Sequence, residues 1–262
     1  MDNRIVFRDV TKMFGEKRAL DGVDIAFNTG EIHAVLGPNG SGKTTMLRIA
    51  SGISRQTSGM VSVFGLSTEM DALKIRGICG MVEENPALYS SMTVGEYIDF
   101  LVSVRNIDRN EASERSESLM KGFELGKYYG ELIGSLSFGT KQKVAIMAAL
   151  LHNPMAIFLD EAYKGLDPHS FNLLKRLMIS LARSGRLIVF STHIIEIAEA
   201  ISDRLSVILN GKIIFSDTFA RLRENAAEKG VSTEDLFLSM TGQADVDRLQ
   251  NEMMRHFNEY KF

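Results

Sequence analysis

Gly37-Pro38-Asn39-Gly40-Ser41-Gly42-Lys43-Thr44-Thr45 follows a short apolar run, Ile32-His33-Ala34-Val35-Leu36, and leads into Met46-Leu47-Arg48-Ile49-Ala50, which reads as the start of a helix. The order is strand, glycine-rich loop, helix, with the spacing G-x-x-x-x-G-K-[ST]. Glycines let such a loop curl until successive N–H groups point inward at a phosphate chain. The helix that follows adds its free N–H groups and the positive end of its dipole. Lys43 is placed to reach the terminal phosphates, and the Thr44 hydroxyl suits a Mg²⁺ site. The stretch reads as the binding loop for a nucleoside triphosphate.

Composition sets the frame around it. The chain has 262 residues, is 45% hydrophobic and carries a formal net charge of -3. That suits one large α/β domain with a buried core, or a domain with a subdomain, and gives no support for broad nucleic-acid binding. The lone cysteine, Cys79, excludes an internal disulfide and suits a reducing compartment. Its neighbours Ile78 and Gly80-Met81-Val82 predict a buried strand residue. No apolar run approaches the roughly 18 to 20 residues of a membrane span, and the N-terminus lacks a signal pattern. The expectation is a protein soluble by itself, with any membrane role exercised through a partner.

Ile5–Val10 and Gly22–Phe27 alternate roughly as strands and predict an opening antiparallel pair. Phe14-Gly15 sits between them, either stacking on a purine ring or capping a small sheet. Met60–Gly65 and Ile78–Val82 predict two more strands. From residue 86 to about 151 the pattern is helical: Thr93 and Glu96 have capping-box spacing, with Val94, Tyr97, Ile98, Leu101 and Val102 at helical intervals. A charged helix is expected over Glu111–Phe123. Ser137 reads as the N-cap of a further helix over Lys141–Leu151, which is either an ordinary cap or a second anion-friendly helix start.

Met155-Ala156-Ile157-Phe158-Leu159-Asp160-Glu161 reads as a buried parallel strand with two acids at its C-terminal end, where α/β sheets place ligands. One carboxylate can hold Mg²⁺ through water and the next can orient an attacking water. Asp167-Pro168 opens another helix, with the acid as N-cap. Arg186–His193 is a further buried strand whose end aims His193 where Asp160 and Glu161 point. A lone histidine is more often structural, but this placement favours a functional one. Asn210-Gly211 predicts a type I′ hairpin turn, and Thr218–Phe262 reads as mostly helical and charged.

Together these pieces resemble the ATP-binding cassette (ABC) ATPases over roughly residues 3–241. The specific part is Leu136-Ser137-Phe138-Gly139-Thr140-Lys141-Gln142-Lys143, similar to the family signature, followed by Leu159-Asp160-Glu161, Asp167 and His193. The resemblance implies an α/β fold with a P-loop NTPase core and a mostly parallel central sheet. An N-terminal antiparallel β subdomain and an α-helical subdomain over about 86–151 accompany it. The cassette would span 1–241, with a helical tail at 242–262. It further implies ATP and Mg²⁺ as cofactors, with Phe14 as the adenine-stacking aromatic and Gly37 to Thr45 (Gly37, Pro38, Asn39, Gly40, Ser41, Gly42, Lys43, Thr44, Thr45) around the phosphates. Thr44, Glu84 and Asp160 would hold the metal, Glu161 would be the catalytic carboxylate and His193 the switch histidine beside the γ-phosphate, with Lys43 assisting. Ser137, Phe138, Gly139 and Thr140 would contact ATP on a second cassette, with Asp167 in the D-loop.

Phe138 and Thr140 depart from the usual signature, Glu84 stands where glutamine is usual, and Ala162-Tyr163-Lys164 replaces a proline and a small residue. The resemblance implies partnership with a second cassette and a transmembrane permease, at the cytoplasmic face of the membrane, in an export direction and with no nucleic-acid partner. Alternatives are a non-transport ABC ATPase or a regulatory module that has lost hydrolysis; Lys43, Asp160, Glu161 and His193 argue against the latter.

Overall fold

The computed structural model describes residues 3–242. The expected helical tail over 242–262 lies, beyond Gly242, outside the described residues. Two sheets organise the chain. β1 (Arg4–Phe14) and β2 (Lys17–Asn28) form the expected antiparallel pair, and β4 (Ser58–Val63) and β5 (Leu66–Ser67) extend it in the order β2-β1-β4-β5. The second sheet contains β3 (Ile32–Leu36), β6 (Cys79–Val82), β7 (Ala156–Asp160), β8 (Leu187–Thr192), β9 (Arg204–Leu209) and β10 (Lys212–Thr218). Its order is β10-β9-β3-β8-β7-β6, parallel except for β10 at the edge.

The strands β3, β7 and β8 are buried at every position. This explains why their sequences are continuous apolar runs, since each face must be covered. Alternate residues serve two cores. Val35, Phe158 and Val189 pack toward the antiparallel sheet and Met46, Leu47 and Ile49. Leu36, Leu159 and Phe190 pack toward helices on the other side. Because β3, β7 and β8 are parallel neighbours, the loops after their C-terminal ends meet at one edge.

The helices follow local signals. α1 (Lys43–Ala50) starts inside the glycine-rich stretch, three residues before the expected Met46. Between the strands lie α2 (Ala72–Ile78), α3 (Val94–Val104), α4 (Arg109–Gly122), α5 (Phe138–Leu150), α6 (Pro168–Arg183) and α7 (Ile195–Ile201), with α8 (Phe219–Glu228) and α9 (Thr233–Met240) last. Both halves of the Thr93–Glu96 capping box form at α3. α4, charged along most of its length, buries only Ala112 and Met120. Ser137 caps α5, which therefore begins at Phe138 rather than Lys141. The short helices α2 and α7 carry no sequence expectation; each buries few side chains and is set by the strand it adjoins. Asn210 and Gly211 both take positive φ, 49° and 79°, as a type I′ turn requires.

His33, inside β3, is buried with Nε2 2.8 Å from Ser206 Oγ, which in turn lies 2.7 Å from Ser216 Oγ. Its ring meets Phe27 edge-on at 4.8 Å. Burial, aided by the nearby Arg204 charge, lowers its pKa to about 3. The fold thus holds the neutral ring, while the unfolded chain binds a proton below about 6.5. The corresponding stability is complete above that value and is lost as pH falls toward about 3. His33→Gln, which keeps a hydrogen-bonding group without the titration, is expected to flatten the decline of urea-unfolding free energy across that window. An unchanged slope would exclude His33 as its source.

Candidate active site

The loop between β3 and α1 is held against two other strands at closest range. A Cβ on Gly37 would stand 2.2 Å from the Ile208 carbonyl oxygen, and one on Gly42 would stand 2.4 Å from that of Ala19. Gly42 also has φ 116° and is the N-cap of α1, so no side chain caps that helix. Its first N–H groups are therefore left for an anion. Lys43 folds back over the loop, donating to the Gly37 carbonyl at 2.8 Å and to that of Pro38 at 3.1 Å. Burial draws its ammonium below the ordinary lysine range, opposed by the charges of Glu161 and Asp160.

Asp160 ends β7 opposite Ser191 of β8. Its Oδ2 accepts from Thr44 Oγ1 at 2.6 Å, and its Oδ1 accepts from Ser191 Oγ. Ser191 also accepts from the Glu161 N–H at 3.1 Å, so one hydroxyl orders both acids. Sequence reasoning passed over Ser191, although its place at the polar end of an apolar run was the available signal. The Thr44 hydroxyl and Asp160 carboxylate are hard oxygen donors in contact, and they fit Mg²⁺, which takes few protein ligands and completes its shell with phosphate and water.

Glu161 lies just beyond the strand with φ 47° and is only 2% exposed. That backbone conformation is uncommon for a residue with a side chain, and such positions cluster at functional sites. Its Oε1 lies 3.1 Å from His193 Nδ1 and 3.8 Å from Lys43 Nζ. Its Oε2 is paired with Lys164, which also reaches Glu84 Oε1 at 2.6 Å. Burial by itself would raise the Glu161 pKa, but the Lys164 and His193 contacts outweigh it and hold the carboxyl below its usual range. In the sequence Lys164 is legible only as part of a departure from the family pattern. Its link to Glu84 arises because β6 and β7 are parallel neighbours whose following segments emerge side by side.

A cavity of about 280 Å³ is lined by Phe14, Lys17 and Ala19, by Asn39, Gly40 and the Gly42–Thr45 turn, and by Glu84 and Glu161. Phe14, 56% exposed, stands at its side, with Lys12 Nζ 4.9 Å from the ring centre. Ser137, Phe138, Gly139, Thr140 and Asp167 do not line this cavity; Phe138 and Gly139 pack instead against Gly165. A Cβ on Gly139 would meet the Gly165 carbonyl at 2.2 Å, and the Phe138 ring covers Gly165. Ser137 Oγ accepts from the Thr140 N–H at 3.3 Å. Asp167 caps α6 through Ser170 and pairs with Lys143 of α5 at 2.6 Å, which holds its carboxyl well below the usual range. Gln142, buried in α5, donates to the Ala162 carbonyl at 3.2 Å and ties that helix to the loop carrying Glu161.

A phosphate-cradling loop, a hydroxyl–carboxylate pair suited to Mg²⁺ and an adjacent buried carboxylate define a nucleoside triphosphate hydrolase. The family follows from likeness to known proteins. A sequence model described as ABC transporter matches residues 20–164. The ABC transporter ATP-binding protein NatA of Bacillus subtilis is 31% identical over 240 residues, 90% of this chain and 97% of its own length. The bacitracin transport ATP-binding protein BcrA of Bacillus licheniformis is 32% identical over 225 residues, covering 86% and 72%. The daunorubicin resistance ATP-binding protein DrrA3 of Streptomyces coeruleorubidus is 30% identical over 242 residues, covering 92% and 76%.

Among solved structures, an ATP-binding subunit of an ABC transporter superposes with TM-score 0.84 at 26% identity, covering 90% of this chain and 99% of that one. A dimeric ATP-binding cassette bound to ADP and Pi superposes with TM-score 0.75 at 27% identity, covering 82% and 98%. The chain belongs to the ABC transporter family, as an ATP-binding subunit with ATPase activity.

Gly42→Ala is expected to weaken ATP binding about tenfold or more, because the added carbon forces the loop away from Ala19 at a strained φ. Calorimetric titration with ATP measures this. Parental affinity would mean that the loop geometry is not what holds the phosphates.

Proposed function

We propose that this chain drives an export-type ABC transporter by closing with a second cassette over ATP and hydrolysing it. The observation that carries the reading is the convergence of Lys43, Asp160, Glu161 and His193 at one sheet edge beside Thr44. In this reading Phe14 stacks on the adenine, and Gly37, Pro38, Asn39, Gly40, Ser41, Gly42, Lys43, Thr44 and Thr45 surround the phosphates. Thr44 and Asp160, with Glu84 at the outer edge, would hold Mg²⁺, which would supply positive charge to offset that of the phosphate oxygens.

Glu161, kept ionised by its cationic neighbours, accepts the hydrogen bond of the attacking water and aims it at the γ-phosphate. His193 shares Oε1 of that carboxylate and so links it to the phosphate edge. Lys43 turns from the loop carbonyls to the phosphates, where its charge counts most in the transition state.

The segment Ser137, Phe138, Gly139 and Thr140 lies outside the chain's own cavity, yet it opens a helix with hydroxyl and backbone donors. It serves the ATP of the opposing cassette, with Asp167 beside it at the junction. Such a closed pair binds ATP better than the open one, and that difference in affinity is what can reorient a membrane partner. No helix among the described residues is long and apolar enough to cross a membrane. Passage is assigned to a separate permease, with this chain docked at its cytoplasmic face. Relatives named for daunorubicin resistance and bacitracin transport support the export direction.

Glu161→Gln should bind Mg-ATP but turn it over at least about a hundredfold more slowly, and its mass in solution should double with Mg-ATP. Parental turnover would remove Glu161 from its role, and a persistent monomer would remove self-pairing. Ser137→Ala should leave ATP affinity of the single chain within about twofold while lowering hydrolysis, since the hydroxyl acts across the pair. Equal losses of binding and hydrolysis would place Ser137 in its own chain's site instead.

A further inference from the structure

Two departures from the family pattern, Glu84 and Lys164, touch each other and the buried Glu161. Lys164 Nζ lies 2.6 Å from Glu84 Oε1 and against Glu161 Oε2. The two halves of this bridge differ in kind. The Glu84 and Lys164 side chains are 42% and 32% exposed, whereas that of Glu161 is 3% exposed. An exposed ion pair by itself contributes little, because solvent screens it. A buried carboxylate oxygen is another matter, since leaving one without a partner is costly. Among the described residues Oε2 has no hydrogen-bond partner beyond its ion pair with Lys164, while Oε1 has His193 and the more distant Lys43.

We propose that Lys164 is a positioning residue: it orients the Glu161 carboxylate and balances the charge of Glu84, so that the segment after β6 and the hydrolytic acid respond together. The proposal rests on the reading of Glu161 given above. A neutral side chain at position 84 would need no such counter-ion. With a carboxylate there, the lip of a cavity meant for polyphosphate carries an extra negative charge, and the ammonium of Lys164 offsets it. Without Lys164, Oε2 has only Lys43 and His193, on the far side of the carboxylate, to turn toward. Glu161 then rotates toward Lys43 and His193, away from the orientation that contacts on both of its oxygens hold. The long lysine stem can follow a moving partner, so the bridge persists if the Glu84 segment shifts when nucleotide arrives.

The test is a double-mutant cycle on the purified chain with Lys164→Met, Glu84→Gln, the two combined, and Lys164→Arg as the conservative control. Two quantities are read: Mg-ATP hydrolysis, and the urea-unfolding midpoint without nucleotide. Lys164→Met should lower kcat about tenfold with KM for ATP within about threefold, as loss of orientation rather than of binding requires. Lys164→Arg should keep kcat within about threefold. Adding Glu84→Gln to Lys164→Met should recover at least about threefold of the lost kcat, and the two substitutions should be non-additive in the unfolding midpoint.

Parental kcat in Lys164→Met would overturn the proposal, as would independent effects of the two substitutions on both quantities. A loss in Lys164→Met carried wholly by KM would do the same. Glu161→Gln, assayed alongside, separates the layers. If it turns over at the parental rate, the reading of Glu161 fails; if it is inactive while Lys164→Met is normal, only the present inference fails.

Discussion

The hydrogen bond from Thr44 to Asp160 joins the first residues of α1 to the end of β7, 116 positions further along the chain. It exists because β3 and β7 flank β8 in a parallel sheet, so that the loops after all three strands leave from the same edge. Ser191 completes the junction by holding Asp160 from β8 and accepting the Glu161 amide. The glycine-rich loop, the Thr44–Asp160 oxygen pair and Glu161 are therefore one hydrogen-bonded construction. Strand pairing sets it.

Glu161 shows how a buried acid is kept charged. Its backbone turns into the left-handed region immediately after the strand, which lifts the side chain from the sheet edge into a ring of His193, Lys43 and Lys164. Desolvation opposes ionisation there, and the surrounding cations and hydrogen-bond donors outweigh it. A carboxylate that stays ionised at neutral pH can accept a proton-bearing water, whereas a neutral acid in the same place could not.

The second cluster, around Gly165, has a different logic. Gly139 and Gly165 approach so closely that neither tolerates a side chain, and Lys143 and Asp167 fasten α5 to the start of α6. Gln142 connects the same helix to Ala162, next to Glu161. The Ser137–Thr140 segment is thus tied through its helix to the loop that bears Glu161, although it does not line the cavity.

Much of this was legible from local sequence. The glycine spacing before Lys43, the apolar run ending in Asp160 and Glu161, the caps at Thr93, Ser137 and Asp167 and the Asn210-Gly211 turn each depend on a few neighbouring residues, and each formed as read. Boundaries moved where a cap or a glycine acted earlier than the periodicity showed, as at α1 and α5. Short α2 and α7 left no periodic trace because a helix of two turns buries too few residues to print one. The sequence by itself determined the family, the phosphate loop and the identities of the charged groups. Only the tertiary structure decided that Lys164 spans Glu84 and Glu161, that Ser191 orders both acids, and that Gln142 reaches Ala162. Those contacts join segments 20 to 80 residues apart, and their distances are set by which strands lie side by side in the sheet.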